Sequence, residues 1–373
     1  MDLINMLGCF SQLNDAIGKL IYDVLFGWIK GWTTDWGMVG AFSVTVIMFT
    51  IFLKTIVMPF DVWQKQLTRS NAKKMEKMKP ELDKITKQCG SNRELLMQKQ
   101  RALYKKYKYS TFGACLPMII TLAIFFIVFG GFNSAVRMHN ERLYKDLENV
   151  YDQTYYTTMY GEEYLTMTDE ERLVWEQTVE ASLTPEQIPQ KHAEAELAAQ
   201  QAVKDNYKSE SFFWTKNIFV PDTWRNPIPS KDEFTGTGWG KSGVTSVDSD
   251  KYDIVMSALR QEYDGQWNGY IILPILVLLL NLASMFLNKQ PQQPAVAGQS
   301  EEQAKAQKTQ MKIMQFVMPA MMLVFALFYS AAFTLYMFIN SFITTAFNLI
   351  FNIVTKRIDA KEKEQTLSTT VKK

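Results

Sequence analysis

Five stretches of about twenty residues in this chain carry almost no charge, and they constrain its fold more than any other feature. A stretch of that length and composition is what a helix needs to cross a bilayer. The uncharged run from Ile313 to Thr355 is too long for one crossing, so we expect it to fold back near Ser330. The sequence therefore predicts an all-α integral membrane protein with five transmembrane helices. The predicted spans are Met38–Phe60, Gly113–Asn133, Trp267–Leu287, Gln315–Ala331 and Ala332–Thr355.

Charge is segregated between the connections, although the net charge of the 373 residues is only +2. Residues 61–112 contain 14 Lys and Arg against 5 Asp and Glu, whereas residues 134–266 contain 13 against 24. The shorter segments 288–314 and 356–373 are also basic, and residues 1–37 are mildly acidic. Because basic connections stay in the cytoplasm, we predict an outward N-terminus, an outward acidic loop and a cytoplasmic C-terminus.

The basic connection 61–112 is predicted to form a cytoplasmic hairpin of two helices. Apolar residues recur at three- and four-residue spacing in both halves, which is typical of helices that pack together. Its surplus of cations would suit anionic lipid headgroups or ribosomal RNA; a solvated basic face that only fixes orientation is the alternative. The two apolar stripes are Met75, Met78, Leu82 and Ile85, then Leu96, Leu103, Tyr104 and Tyr107.

The two outward segments differ in character. Residues 13–32 combine helical apolar spacing with four charged residues, so they form an amphipathic helix that cannot span the bilayer. That helix either lies flat on the outer leaflet or packs on the protein's own spans. Residues 134–266 are too long for a simple connection. The pattern Thr168-x-x-Glu171 predicts a helix start there, and we expect a mostly helical outer domain.

Residues that commonly carry catalysis are few. The glycine-rich run 236–242 resembles a phosphate-binding loop, but Thr235 stands where the first glycine belongs and no apolar strand precedes it. His139 and His192 lack neighbouring cysteines, so we interpret them as solvated surface residues rather than as zinc ligands. No serine, cysteine or carboxylate arrangement in the spans indicates hydrolysis. We predict a protein that is not an enzyme and that uses no metal or cofactor.

Lys54 is the one charged residue within the predicted spans. A lysine near the middle of a spanning helix costs about 2.5–3.5 kcal/mol to insert, so its ammonium needs water or a counter-ion. No other span contains Asp or Glu, which favours a hydrated groove; the alternative is that Lys54 reaches the cytoplasmic surface along its own stem. Polar residues on the other spans favour the groove. The predicted lining is Ser43, Thr50, Lys54, Thr121, Asn281, Ser284, Tyr336, Asn340 and Thr344.

Several motifs resemble the YidC family of membrane protein insertases, in that family's order and at its spacing. The resemblance covers about residues 36–132, 211–227 and 268–356, and the outer loop is larger than the minimal family pattern. The motifs are Phe52 to Phe60 around Lys54, the basic hairpin, Gly113 to Pro117, Phe213 to Asp222, Leu273-Pro274, Met314 to Pro319, Leu335-Tyr336 and Asn340.

The resemblance implies a bacterial plasma-membrane protein that receives nascent membrane proteins in a hydrophilic intramembrane groove. The cation of the first span would bind the polar outward tail, and the client would move laterally into the bilayer without nucleotide hydrolysis. The ribosome and the general secretion channel are implied as further partners. This chain departs from the family at Lys54, where arginine is usual, at Thr121 and Ser284, where glutamine is frequent, and at Met337, a frequent tryptophan.

Two other functions remain open on the residues alone. A transporter or anion channel would also place Lys54 in a polar path, although such proteins typically contain internal repeats or broken helices. A membrane scaffold would act through the outer segment 134–266.

Overall fold

The computed structural model describes residues 3–31, 39–89, 92–109, 112–287, 316–317 and 319–371. These residues form an all-helical protein, as predicted, with isolated β-bridges and no strand among them. The α-helices are α1 (Leu3–Lys19), α2 (Gly27–Lys30), α3 (Ala41–Cys89), α4 (Arg93–Lys106), α5 (Phe112–Tyr160), α6 (Asp169–Ala181), α7 (Gln187–Asn206), α8 (Lys231–Thr235), α9 (Ser249–Glu262), α10 (Ile272–Leu287), α11 (Pro319–Phe328) and α12 (Ala331–Val371). A π-helix (Leu20–Phe26) and a 3₁₀-helix (Glu162–Thr166) complete the set.

Three helical segments among the described residues are long and apolar enough to cross a membrane. They are Ala41–Cys89, Ile120–Tyr160 and Ala331–Lys361. The helices α10 and α11 are apolar but shorter. Residues 288–315 and Met318, which include the start of the predicted fourth span, lie outside the described residues. The count of five spans and their boundaries therefore remain predictions.

Helix α3 continues without a break far beyond the predicted end of the first span. It includes Pro59 and Pro80 in its 49 residues, although each proline removes one backbone hydrogen bond. Helix α4 packs back on it through a small core in which Met78, Leu82 and Leu103 are buried. The apolar stripes of the sequence thus meet in a helical pair; the side of the membrane on which the pair lies remains a prediction.

The chain divides into two compact units. The first comprises Met1–Val46, Phe129–Leu273 and Ala326–Leu335; the second comprises Ile47–Val128, Pro274–Phe325 and Tyr336–Lys373. The first unit contains the acidic segment with α6 to α9. The second contains most of the predicted spans and the α3–α4 pair.

The first unit has an aromatic core between α5, α7 and α9. Tyr144 and Tyr252 are almost fully buried there, with ring centroids 5.3 Å apart, and Phe234 of α8 stacks on Tyr252 at 4.3 Å. The predicted helix start at Thr168 is confirmed, because Thr168 and Glu171 form a complete capping box at the start of α6. The acidic segment is therefore a folded helical domain.

Residues 209–223 tie together the starts of several helices of the first unit. The segment has no regular secondary structure of its own, so its backbone groups are free to bond to the helices. Its backbone bonds run from Gly40 N to Ser211 O (2.8 Å), from Ala331 N to Val220 O (3.1 Å) and from Ala332 N to Ile218 O (2.8 Å). The segment thus positions the beginnings of α3 and α12.

The N-terminal helices have two apolar faces. Gly18 of α1 approaches α5 so closely that a Cβ would lie 2.7 Å from the Ser134 side chain, so this helix packs on the protein, as one of the two sequence interpretations held. The π-helix and α2, which continue α1, have one buried face and one open face, and contact of the open face with lipid remains a prediction. The inner face buries Ile21, Phe26 and Ile29, and the outer face exposes Leu20, Val24 and Trp28.

Candidate functional site

Lys54 forms an ion pair with a residue of its own helix. Its Nζ lies 2.6 Å from Oδ2 of Asp61, and the two side chains are only 10% and 20% exposed. Asp61 lies seven residues along α3, which is about two helical turns and the same helical face. It is the first residue beyond the predicted span, which ends at Phe60. The pair offsets part of the desolvation cost that Lys54 would carry alone.

Lys54 therefore has a counter-ion, and the expectation that none is available to it is wrong. Carboxylates were considered only inside the spans, whereas a flexible lysine stem reaches along its helix toward the polar end. The seven-residue spacing of Lys54 and Asp61 was the available signal. The ion pair is compatible with a hydrated groove, because it still places two charged groups beside the apolar half of α3.

The two faces of α3 around Lys54 differ sharply in the second unit. Thr50, one turn before Lys54, is 1% exposed. On the other face, Phe52 and Ile56 are 58% and 60% exposed. The helix therefore turns Thr50 and Lys54 into the protein and leaves large apolar side chains open, as expected for a helix with one face toward lipid.

Ser43 is separate from this polar group. It lies in the first unit, where its Oγ donates a hydrogen bond to the Ser211 carbonyl oxygen at 2.9 Å. Ser43 and Thr50 lie on one face of α3, as their spacing predicted. Helical spacing identifies a shared face, but it does not tell which residues pack against each part of that face. Ser43 holds segment 209–223, so we leave it out of the proposed lining below.

A second polar group in the second unit joins α10 to α12. Polar residues recur every four positions along α12, at Tyr336, Asn340, Thr344, Asn348 and Asn352. Asn348 Nδ2 donates to Ser284 Oγ at 3.2 Å, and Asn352 Nδ2 donates to the Leu287 carbonyl at 3.1 Å. The sequence interpretation named the first three members and missed the last two, although the same spacing extends to them.

The other predicted lining residues have the following places. Thr121 is exposed on α5 and Tyr336 is buried on α12. Asn281 donates to the Val277 carbonyl of its own helix at 2.9 Å. Thr344 donates in the same way to the Asn340 carbonyl at 2.7 Å. Lys54 with Asp61 and Ser284 with Asn348 are thus polar groups of the second unit; that they line one groove is a proposal.

The extension of α3 beyond the predicted span carries a row of cations. Asp359 of α12 pairs with two of them, its Oδ1 lying 2.6 Å from Arg69 and 2.9 Å from Lys73. Hydrogen bonds from Lys73 and Arg69 lower the pKa of the Asp359 carboxyl group. The pairing joins the C-terminal helix to the basic helix within the second unit. A pocket on this part of α3 is lined by Gln66, Arg69, Ser70, Lys73, Lys74 and Lys77.

His139 is not the solvated surface residue that the sequence predicted. It lies six residues beyond the predicted second span and is buried in the first unit, stacked on the Phe219 ring at 3.7 Å. Its Nδ1 is buried without a hydrogen-bond partner among the described residues. Burial, with a smaller effect of the Lys30 charge, lowers the pKa of His139 to about 3. Three more rings lie 5.7–6.4 Å away, those of Tyr22, Phe26 and Phe42.

We expect His139 to make the first unit sensitive to acid. The unfolded chain binds a proton at this position below pH 6.5, whereas the folded chain does not until about pH 3, so stability falls as pH decreases through that window. At pH 5 the loss is about 2 kcal/mol relative to pH 7.5. Thermal unfolding in detergent should show this loss in the wild type and not in His139→Phe. An equal pH dependence in both proteins would contradict the assignment.

His192 and the glycine-rich run 236–242 are the other candidate site residues that the sequence analysis considered. His192 is half-buried, and its Nδ1 lies 2.7 Å from the Tyr155 hydroxyl, so it too is not simply solvated. The run 236–242 follows helix α8 and not a strand, and Lys241 Nζ lies 2.8 Å from Asp232 Oδ1. Among the described residues, no group of three or more His, Cys, Asp or Glu side chains could hold a metal ion.

Comparison with known proteins gives one consistent result. A family model described as "60Kd inner membrane protein" matches residues 34–359. The chain is 35% identical over 104 residues to the membrane protein insertase YidC of Fusobacterium nucleatum. The aligned segment covers 28% of this chain and 48% of that protein. It is 32% identical over 91 residues to the YidC of Caldanaerobacter subterraneus, covering 24% and 42%. It is 30% identical over 122 residues to the YidC of Syntrophobacter fumaroxidans, covering 33% and 20%.

The aligned segments thus span less than half of each of these relatives. No solved structure matches the chain.

Proposed function

The chain belongs to the 60Kd inner membrane protein family, which includes the YidC insertases, and from this premise we propose that it inserts nascent membrane proteins into the bilayer. The observation that carries the proposal is the family match over residues 34–359, which takes in the three candidate spans of the described residues except for the last two residues of Ala331–Lys361. Membership also supports a place in the bacterial cell membrane. The transporter, channel and scaffold alternatives have no comparable support.

The polar groups of the second unit are proposed to form the groove that receives a client. Lys54 would attract the carboxylates of a client's outward tail, and the client's apolar segment would move along the open face of α3 into lipid. The burial of Thr50 and Lys54 beside exposed Phe52 and Ile56 supports this division of roles. Hydrophobic transfer of the client drives the step, so nucleotide hydrolysis is not required. The proposed lining is Thr50, Lys54, Thr121, Asn281, Ser284, Tyr336, Asn340, Thr344 and, beyond the sequence interpretation, Asn348.

The orientation and further partners follow from charge. We place the acidic first unit and the N-terminus outside the cell, and the α3–α4 pair and the C-terminus in the cytoplasm. The cations near Arg69 and Lys73 would face the ribosome and anionic headgroups there. Action beside the general secretion channel is part of the same proposal.

Reconstitution tests the function. Liposomes containing only this protein would receive a single-span client with a short acidic outward tail, and protease protection would measure the inserted fraction against protein-free liposomes. We expect insertion above that background. Insertion equal to the background, with the protein shown to be folded in the liposomes, would contradict an autonomous insertase.

A further inference from the structure

We propose that Asp61 is an internal competitor of the client, holding Lys54 in the resting protein and setting how much negative charge an outward tail needs to displace it. The inference rests on the proposed insertase function and adds to it a residue that determines client specificity. Asp61 does not itself contact the client in this scheme; it acts through Lys54.

Lys54 and Asp61 are close neighbours on one helix. Nζ of Lys54 lies 2.6 Å from Oδ2 of Asp61, and both residues belong to α3. A partner on the same helix is always present at high effective concentration, whereas a client carboxylate must arrive from outside. A single weakly held client carboxylate therefore competes poorly, and a tail with several competes better.

Asp61 has another cation nearby. Lys65 lies one helical turn further along α3 and is half-buried. Burial lowers the pKa of the Lys65 ammonium, and the Asp61 carboxylate acts on it in the opposite direction. When a client takes Lys54, Asp61 can pair with Lys65 instead, so no buried charge is left without a partner.

The charge balance of these three residues favours the addition of one carboxylate. Lys54, Asp61 and Lys65 sum to one positive charge, so one client carboxylate makes the group neutral. In a poorly hydrated environment a neutral set of paired charges is much less costly than one with an excess charge. The site therefore accepts a client carboxylate. It resists an uncharged tail, because Lys54 would have to leave Asp61 and would gain no new carboxylate as a partner.

The experiment uses the full chain in liposomes and three clients that differ only in the tail, which carries none, one or three aspartates. In Asp61→Asn, Lys54 no longer has a resident partner. We expect insertion of the one-aspartate client to rise about five-fold relative to wild type, the factor that corresponds to losing one modest ion pair as competitor. Insertion of the three-aspartate client should remain unchanged.

Two variants serve as controls. Asp61→Glu keeps a carboxylate and should restore the wild-type dependence on tail charge. Asp359→Asn removes a carboxylate that pairs with Arg69 and Lys73 in the second unit, far along the chain from Lys54, and should leave that dependence unchanged.

Lys65→Gln tests the same proposal in the opposite direction and keeps it testable if Asp61→Asn fails to fold. Without Lys65, a displaced Asp61 has lost its second partner, so the one-aspartate client should insert less well than in wild type. The three-aspartate client should be affected less.

Two results would overturn the proposal. An unchanged ratio between the one- and three-aspartate clients in Asp61→Asn would remove the competition. A parallel decrease for all three clients would make Asp61 a structural residue only. Failure of the proposed function gives a different result from these two. Wild type would then insert no client above the level of protein-free liposomes, and the proposed role of Asp61 would be refuted as well.

Discussion

Lys54→Glu is expected to lower insertion of a client with an acidic outward tail by at least about ten-fold, to the level of protein-free liposomes. The substitution reverses the charge that meets the tail and places a second carboxylate beside Asp61, whose Oδ2 lies 2.6 Å from Nζ in the wild type. Two unit charges about 4 Å apart interact by about 4 kcal/mol near a protein surface. The change from attraction to repulsion therefore corresponds to more than a ten-fold decrease in insertion. Protease protection of the client in liposomes measures the loss.

Graded substitutions separate charge from folding in this experiment. Lys54→Arg keeps the cation and should retain insertion, and Lys54→Gln should give an intermediate value. A client with an uncharged tail should distinguish the variants least. Equal insertion of the acidic client by Lys54→Glu and wild type, with both proteins folded, would refute an electrostatic role of Lys54.

Asp222→Ala is expected to destabilise the first unit by about 3–5 kcal/mol. The Asp222 side chain is fully buried, and its oxygens accept three hydrogen bonds: around the start of α10 from Tyr270 N at 2.9 Å and Leu273 N at 2.8 Å, and from Trp214 Nε1 at 3.2 Å. Alanine leaves the buried Leu273 N–H and two partly buried donors without this partner, and a donor left unpaired in the interior costs roughly 1–3 kcal/mol. Thermal unfolding in detergent at pH 7.5 measures the change.

Asp232→Ala is the matched control for Asp222→Ala. Asp232 is in the same unit and also has a polar partner, Lys241, but its side chain is 77% exposed. An exposed pair of this kind contributes less than about 1 kcal/mol, so this variant should unfold close to the wild type. Similar unfolding temperatures for Asp222→Ala and Asp232→Ala would contradict the role assigned to the buried carboxylate.

The all-helical membrane class and the position of Lys54 could be predicted because both are local properties. A bilayer selects uncharged segments of a certain length, and one charge in such a segment is visible without any tertiary knowledge. The stripe residues Met78, Leu82 and Leu103 were predictable for the same reason, since helical spacing alone places them on the packed faces.

Contacts between distant segments could not be predicted in this way. His139 is buried by rings from the N-terminal π-helix, from α3 and from segment 209–223, and no pattern around residue 139 indicates those neighbours. Ser43 has the right helical face but binds Ser211, 168 residues away in the chain. Asp61 was within reach of sequence reasoning and was missed because α3 was treated as ending at the membrane boundary.

In the proposed insertase, the polar face of α3 receives the client's tail while its apolar face guides the client's membrane segment. Photo-cross-linkers placed at position 50 and at position 56 of the same helix test this most directly, because Thr50 is buried beside Lys54 whereas Ile56 is 60% exposed. With a client held during insertion, we expect position 50 to cross-link to the acidic tail and position 56 to the apolar segment. Cross-links of the tail to position 56 and none to position 50 would contradict the account.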